Sequence, residues 1–367
     1  MQNLVPQGIL PAHAIAALAK AGSIIAATPF AGGQIQPASL DLRLGRRAWR
    51  MRASFLPGER PVMAAIGRLA LHEIDLGQGA VLETGTVYLA EVAESLALPA
   101  HISASANPKS STGRIDVFTR VMADRTRAFD QIPAGYHGPL FAEISPRTFP
   151  VLARSGSRLS QIRFRTGQAR LDNAAHLALH ARDRLVTSDN PSIADGVAIS
   201  VDLAGFAGTS RIGYRAKRHT GLIDVDRVGA LDPRDFWEPL EASAHHDLVL
   251  DPGEFYILAS KEAVRVPPDH AAEMTPFDPL VGEFRVHYAG FFDPGFGATE
   301  AGGAGARAVL EVRSHDVPFI LGDGQMVGRL VYERMQETPR ELYGAGAVAS
   351  HYQAQGLKLS KHFGRGF

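Results

Sequence analysis

The segment of this sequence most suggestive of chemistry is KSSTGR (109–114), which directly follows the turn signal Asn107-Pro108. It places a lysine, two serine hydroxyl groups and an arginine on one short turn. A cation with neighbouring hydroxyl donors can hold a phosphate group. A run of Ser, Thr and Gly is also common in ordinary loops. The spacing alone therefore leaves a phosphate site and a plain loop both open.

Two histidines in HLALH (176–180) have the i,i+4 spacing of metal ligands on a helix. No glutamate completes an H-E-x-x-H pattern around His176 and His180, and the chain has no cysteine to supply a thiolate ligand. The sequence therefore predicts no zinc site and a solvent-facing linker in this segment.

Two further patterns have plain structural interpretations. GDGQMVG (322–328) is close to a dinucleotide fingerprint, but it lies between two strand-like runs and begins no helix, so an Asp-Gly hairpin turn is favoured. RLGRRAWRMR (43–52) could contact a nucleic acid, but its alternation favours an exposed strand face.

The composition is that of an ordinary globular protein. The 367 residues include 38 basic and 38 acidic side chains, so the net charge is zero, unlike the electrostatic profile of a nucleic-acid-binding protein. No basic region precedes the first apolar stretch, and there is no run of about 18 apolar residues. We therefore expect a cytoplasmic protein that binds neither nucleic acid nor membrane.

Alternating apolar and polar residues dominate the chain, as in SLDLRLG (39–45), TVYLAEV (86–92) and EFYILAS (254–260). This period of two is typical of strands with one buried face. The 37 glycines and 23 prolines separate these runs. Residues 11–20 predict one N-terminal helix, and 234–241 a possible short helical turn. The sequence predicts an all-β protein.

The second half of the chain repeats the first. LFAEISPRTFPVLARSGSRLSQIRF (140–164) resembles AVLEVRSHDVPFILGDGQMVGRLVY (308–332), and Glu143 aligns with Glu311 at an offset of 168. VLETGTVYLA (81–90) likewise resembles LVLDPGEFYILA (248–259). Matches in the same order indicate two copies of one β-rich unit. We place the first repeat at residues 1–170 and the second at 171–367.

Several segments together resemble the deoxycytidine triphosphate (dCTP) deaminase family, which shares the dUTPase-like fold. They are IQPASLDLRLG (35–45), KSSTGR (109–114), GSRLSQI (156–162), YAGFFDPGF (288–296) and VLEV (309–312). Tyr343 and SHYQAQG (350–356) match the family's C-terminal tail, with His351 in place of its usual lysine. The resemblance covers most of the chain.

The resemblance implies two tandem dUTPase-like distorted β-barrels (β-clip or jelly-roll-like) after a short N-terminal helix. It implies hydrolytic deamination of dCTP to dUTP and ammonia, with Mg²⁺ carried by the triphosphate and no zinc. The implied acid/base is Glu311 or Glu143, assisted by Ser110 and Arg114. The implied substrate-binding residues are Lys109, Ser111, Gln161, Phe291, Asp293, Tyr343, His351 and Gln355. The tail would act as a lid over the substrate.

The chain departs from the family in having two units, and each unit has lost a different part of the site. Repeat one keeps KSSTGR but has Pro133 and Ala134 where the family's base-binding hairpin has Asp. Repeat two has no KSS but keeps Asp293 and Glu311. Because the losses are complementary, we expect one composite site per chain, formed between unlike repeats.

Other functions stay open at this point. The same fold would suit a dUTP diphosphatase, a bifunctional dCTP deaminase/dUTPase, or a nucleotide-binding regulator without catalysis. The resemblance favours a homo-oligomer, most simply a trimer, although two units per chain also allow a smaller assembly. Feedback by dTTP is a family possibility that no residue here establishes.

Overall fold

The computed structural model describes residues 6–206, 208–276, 284–287, 290–299, 305–314, 316–345 and 356–364. In these ranges the chain forms short helices and many strands, and this confirms the predicted all-β class. The predicted N-terminal helix is α1 (Ala12–Lys20), which begins after Pro11 and buries Ile15. The segment predicted as a helical turn at 234–241 is helical only over its first residues and continues as a strand.

Repeat one contains three helices and fourteen strands among the described residues. The helices are α1, α2 (Val62–Leu69) and α3 (Ser110–Gly113). The strands are β1 (Gly8–Ile9), β2 (Ile24–Ala26), β3 (Ile35–Gln36), β4 (Ser39–Leu42), β5 (Leu44–Met51), β6 (Ala70–Asp75), β7 (Ala80–Leu82), β8 (Val87–Ala97), β9 (Ile102–Pro108), β10 (Val117–Ala123), β11 (Gln131–Ile132), β12 (His137–Pro146), β13 (Val151–Ala153) and β14 (Ser160–Thr166).

Repeat two contains two helices and twelve strands among the described residues. The helices are α4 (Asn173–Asp183) and α5 (Pro233–Phe236). The strands are β15 (Val197–Ser200), β16 (Arg211–Ala216), β17 (Ile223–Asp224), β18 (Trp237–Glu241), β19 (Asp247–Leu250), β20 (Tyr256–Val264), β21 (His270–Pro276), β22 (Phe284–His287), β23 (Phe291–Phe292), β24 (Ala306–Ser314), β25 (Phe319–Gly322) and β26 (Met326–Arg334).

The main strands of the two repeats follow the same order. In repeat one, the order β11-β9-β14-β4 runs through one sheet, which also contains β1 and β3, and the order β10-β12-β8-β5-β6 runs through the other, which also contains β2. In repeat two, the matching orders are β23-β21-β26-β15 and β22-β24-β20-β16-β18. The register matches as well, because Glu143 lies opposite Leu89 and Glu311 lies opposite Ile257, each 168 positions later. The repeated sequence therefore produces a repeated arrangement of strands.

The repeats share a hydrophobic core and are joined by backbone pairing. Strand β17 of repeat two pairs in parallel with β13 of repeat one. Near this junction, the ring of Phe149 from repeat one meets Trp237 from repeat two edge-on, with centroids 5.4 Å apart. Both side chains are almost fully buried. Burial of such large rings dominates core energetics, so this packing holds the repeats in a defined relation.

Two local predictions are corrected. The 176–180 segment is not a solvent-facing linker, because it lies in α4 and buries His176. The imidazole of His176 contacts Asp172 O at 2.8 Å and accepts from Tyr332 N at 3.0 Å, so both ring nitrogens have partners. The Asp-Gly turn at Gly324 forms with a positive φ of 74°, but it does not close a hairpin. Its flanking strands pair elsewhere, β25 with β19 and β26 with β15 and β21.

Candidate active site

KSSTGR forms a buried, well-anchored turn at the end of β9. The carbonyl of Lys109 accepts hydrogen bonds from Thr112 N at 2.8 Å and Gly113 N at 3.0 Å, which begins α3. The hydroxyl of Thr112 donates to Leu159 O at 2.9 Å. Ser111 is buried and Ser110 is half-buried. The segment is therefore a fixed turn and not an exposed, mobile loop.

Arg114 closes this turn and meets Glu311 of repeat two. Both side chains are buried, and Arg114 Nε lies 3.9 Å from Glu311 Oε1. Glu311 sits in the middle of β24, between β20 and β22. Burial raises the pKa of Glu311 to about 8, and the nearby charge of Arg114 lowers it only in part. The site thus holds a carboxyl group that carries a proton at neutral pH.

Several cations lie near Lys109, at the start of this turn. Lys109 Nζ donates to the buried carboxylate of Asp41, and Arg158 Nη1 lies 3.5 Å from the same Asp41 oxygen. Lys361 belongs to the C-terminal segment, and burial lowers its pKa. The charge of Lys109 lowers the same pKa further, so these two cations lie near each other. Lys109, Arg158 and Lys361 outnumber the nearby carboxylates of Asp41 and Asp226, and the remaining positive charge suits a phosphate chain.

The base-binding hairpin predicted for repeat two lies against repeat one. Phe291 and Asp293 are buried, on and just after β23. Arg163 Nη2, from β14, donates to Asp293 Oδ1 at 3.2 Å. Burial raises the pKa of Asp293, whereas the charge of Arg163 and, more weakly, that of Lys109 lower it. The structure therefore brings the hairpin of repeat two near Lys109 in the KSSTGR turn of repeat one.

Glu143, the counterpart of Glu311 in repeat one, has a different environment. Its Oε1 accepts from Arg120 Nη2 at 2.6 Å and from Arg120 Nε at 3.2 Å. Arg120 is also stacked over the ring of Phe129, 3.7 Å from its centroid. Glu143 is thus engaged with an arginine of its own repeat, whereas Glu311 meets the arginine of KSSTGR.

Of the remaining predicted residues, the structure describes Gln161 and Tyr343. Gln161 is buried on β14, and its side-chain amide donates to Pro108 O at 3.4 Å, next to Lys109. Tyr343 packs on Phe296 of the hairpin with ring centroids 5.9 Å apart. His351 and Gln355 lie outside the described residues, so their predicted role stays a prediction.

The C-terminal segment 356–364 is anchored on the site. Arg114 Nη1 donates a hydrogen bond to Lys358 O at 3.0 Å. Ser360 Oγ donates a hydrogen bond to Ser111 O at 2.8 Å. Phe363 packs edge-on against Phe236, with centroids 5.3 Å apart. This packing predicts that deletion of residues 356–364 would lower thermal stability.

Sequence reasoning missed four residues of this arrangement: Asp41, Arg158, Arg163 and Lys361. Asp41 and Arg158 fall within motifs that the resemblance rests on, so a search for charged partners of Lys109 could have found them. No local pattern marks Arg163 or Lys361, because their partners are distant in the sequence.

The described residues provide neither a cluster of metal ligands nor a membrane-spanning helix. No group of three or more His, Asp or Glu side chains in the described parts of the chain is arranged to hold a metal ion. None of the described helices combines the length and apolar character needed to cross a membrane. The absence of zinc stays a prediction.

Comparison with protein-family models gives two consecutive matches. The model described as the 2'-deoxycytidine 5'-triphosphate deaminase N-terminal domain matches residues 6–168. The model described as the C-terminal domain of the same enzyme matches residues 172–363. Together they span both repeats.

Individual proteins agree with the family models. The chain is similar to a crystal structure of 2'-deoxycytidine 5'-triphosphate deaminase from Agrobacterium tumefaciens, with 61% identity, a TM-score of 0.89, and coverage of 93% of this chain and 99% of that one. It is also similar to a protein named dCTP deaminase, dUMP-forming, from Beutenbergia cavernae, at 29% identity over 40% of this chain and 76% of the relative. A protein of the same name from Clavibacter michiganensis is 29% identical over 47% of this chain and 85% of the relative.

Proposed function

The chain belongs to the 2'-deoxycytidine 5'-triphosphate deaminase family, and from that premise we propose that it hydrolyses dCTP to dUTP and ammonia at a composite site between its repeats. The observation that carries this proposal is the buried contact of Arg114 with Glu311, 3.9 Å apart. This contact joins KSSTGR of repeat one, the proposed phosphate-binding half, to the carboxyl group of Glu311 in repeat two.

Glu311 can carry out every proton transfer in the reaction. With a pKa of about 8 it is protonated at neutral pH, and it first gives its proton to N3 of cytosine. The resulting carboxylate takes a proton from water, whose oxygen attacks C4. Glu311 passes that proton to the amino group, and the C4–N bond breaks as ammonia leaves. The proton of the new hydroxyl group returns to Glu311 as the C4 carbonyl forms.

Arg114 and Ser110 assist this chemistry in the proposal. The guanidinium group of Arg114 is buried beside Glu311 and supplies a fixed positive charge where the carboxylate forms during turnover. It also donates to Lys358 O, which limits its movement. Ser110 begins the same turn and offers a hydroxyl donor. A preorganised donor needs no reorientation when charge develops.

Lys109 and Ser111 form the phosphate-binding part of the proposal, together with Gln161 on the neighbouring strand. Arg158 and Lys361 add positive charge next to Lys109. Mg²⁺ would arrive with the triphosphate and neutralise part of its charge, held mainly by phosphate oxygens and water. This fits the donor set here, because Asp41 is already engaged by Lys109 and Arg158.

Phe291 and Asp293 form the base-binding part, with Tyr343, His351 and Gln355 of the tail closing over the substrate. We propose that each repeat is a dUTPase-like distorted barrel, since each has the same pair of sheets. We also propose a cytoplasmic location, which the lack of cysteine fits, and a homo-oligomer, for which the family resemblance favours a trimer. Arg114 and Glu311 already meet within one chain, so no subunit contact is required to bring these two residues together.

A second candidate function is conversion of dCTP to dUMP. It is favoured by the name dUMP-forming that both curated relatives carry, although each covers less than half of this chain. The test is incubation with dCTP, dUTP or CTP and separate assays of ammonia and pyrophosphate. Ammonia alone supports the deaminase, and both products from dCTP identify the dUMP-forming enzyme. Pyrophosphate from dUTP without ammonia from dCTP identifies a diphosphatase, and binding with neither product identifies a regulator.

A further inference from the structure

Arg163 is the most deeply buried cation at the junction of the repeats. Its side chain is 0% exposed, although arginine is rarely buried without compensating partners. It lies on β14 of repeat one, and its repeat-two counterpart at the offset of 168 is Val331. The arginine is therefore a feature of one repeat only, and the shared fold does not require it.

Most of the partners of this guanidinium belong to the hairpin of repeat two and the strands beside it. Nη2 donates to Asp293 Oδ1 at 3.2 Å and to Phe292 O at 3.4 Å. Its central carbon lies 4.0 Å from the ring centroid of Phe291, a cation–π contact. Nη1 donates to Ala272 O at 3.2 Å and to Glu333 Oε2 at 3.3 Å. A planar fork with several donors can hold all these groups at once, and a lysine cannot.

The strand that carries Arg163 also sets the position of the cationic turn. Strand β14 pairs with β9, and Ser160 lies opposite Pro108, the residue before Lys109. Arg163 is three residues further along β14 and reaches Asp293 from there. One strand of repeat one thus supports the phosphate half of the site by its backbone and the base half by its side chain.

We propose that Arg163 is the positioning residue that holds the Phe291–Asp293 hairpin of repeat two in register with KSSTGR of repeat one, and thereby sets recognition of the nucleoside part of the substrate. This inference rests on the proposed composite site. It assigns Arg163 no contact with the reacting atoms. Its removal would release Asp293 and the ring of Phe291 while leaving the turn at Lys109 in place.

Arg165 provides a matched control on the same strand. It also belongs to the junction, since Arg165 Nη1 lies 3.5 Å from Glu333 Oε1 and another of its nitrogens donates to Ser105. None of its described contacts is with Asp293 or Phe291. If any lost charge at the junction weakens binding, the Arg163 and Arg165 variants should behave alike. If the position of the hairpin matters, only the Arg163 variant should be affected.

The experiment compares two ligands in the full-length protein by calorimetric titration with Mg²⁺ present. Inorganic tripolyphosphate probes the phosphate half alone, and dCTP probes both halves. In Arg163→Met we expect the affinity for dCTP to fall at least about 30-fold while the affinity for tripolyphosphate changes less than about threefold. This expectation follows from losing a charge-assisted contact network on the nucleoside side only. Arg165→Met should change neither affinity by more than about threefold.

A second variant, Arg163→Lys, keeps the buried charge and with it the fold, but cannot form the planar contacts. It should still lose at least about 10-fold in dCTP affinity relative to tripolyphosphate. The inference is overturned if Arg163→Lys keeps the wild-type ratio of the two affinities, or if both ligands weaken in parallel. A wild-type protein that releases no ammonia from dCTP would instead refute the proposed function, so the two failures are distinguishable.

Discussion

Replacement of Glu311 by glutamine tests the proposed acid/base most directly. Glutamine keeps the size of the side chain but cannot accept and return a proton. General acid–base catalysis by one positioned group contributes about 10²–10⁴-fold to rate. Since Glu311 is assigned every transfer in the cycle, we expect kcat to fall by about 10³-fold, which corresponds to about 4 kcal/mol in activation free energy.

The same substitution should stabilise the fold at neutral pH. Burial raises the pKa of Glu311 to about 8, from an ordinary value of 4.5. Between these values the unfolded chain binds fewer protons than the folded one, so stability falls as the pH rises through this window. At pH 7 the cost is at most about 3 kcal/mol, from 1.36 kcal/mol per pKa unit. Glu311→Gln removes this cost, so its Tm should exceed that of the wild type at pH 7 and approach it near pH 4.5.

The assay is ammonia release from dCTP, with thermal unfolding followed at several pH values. Glu143→Gln is the matched control, because Glu143 occupies the equivalent strand position in repeat one. It should keep kcat within about threefold and lose about 1–3 kcal/mol of stability, since it weakens the buried contact with Arg120. An inactive Glu143→Gln with a nearly normal Glu311→Gln would refute the composite site.

Four further predictions concern the site, the tail and the metal. Because Glu311 must carry a proton at the start of the cycle, kcat/KM for dCTP should decline above about pH 8, and a pH profile flat to pH 10 would contradict this role. Phe363→Ala should reduce stability by about 3 kcal/mol in denaturant unfolding, because the Phe363 ring is buried against Phe236 and Trp237. If the tail acts as a lid, His351→Ala should reduce turnover without changing Tm. EDTA should slow turnover only until Mg²⁺ is restored, and recovery that requires zinc would exclude the proposed chemistry at the base.

The strand-rich character of the chain, its internal repeat and the complementary losses in the two repeats can all be read from the amino-acid sequence. These properties are local: alternation with a period of two specifies strands, and similar segments form similar strands. The proposal that KSSTGR works with Glu311 came from this comparison of the repeats and from the family resemblance.

The comparison of the repeats favoured Glu311 as the partner of Arg114, but the contact itself is visible only in three dimensions. Glu143 and Glu311 occupy equivalent places on equivalent strands, so their own segments cannot distinguish them. The difference comes from packing between repeats, which buries Glu311 beside Arg114 and leaves Glu143 with Arg120. The contacts of Arg163 were likewise invisible in the sequence, because its partners come from segments more than 100 positions away. Local periodicity specifies an element, whereas contacts between distant elements depend on how whole surfaces pack.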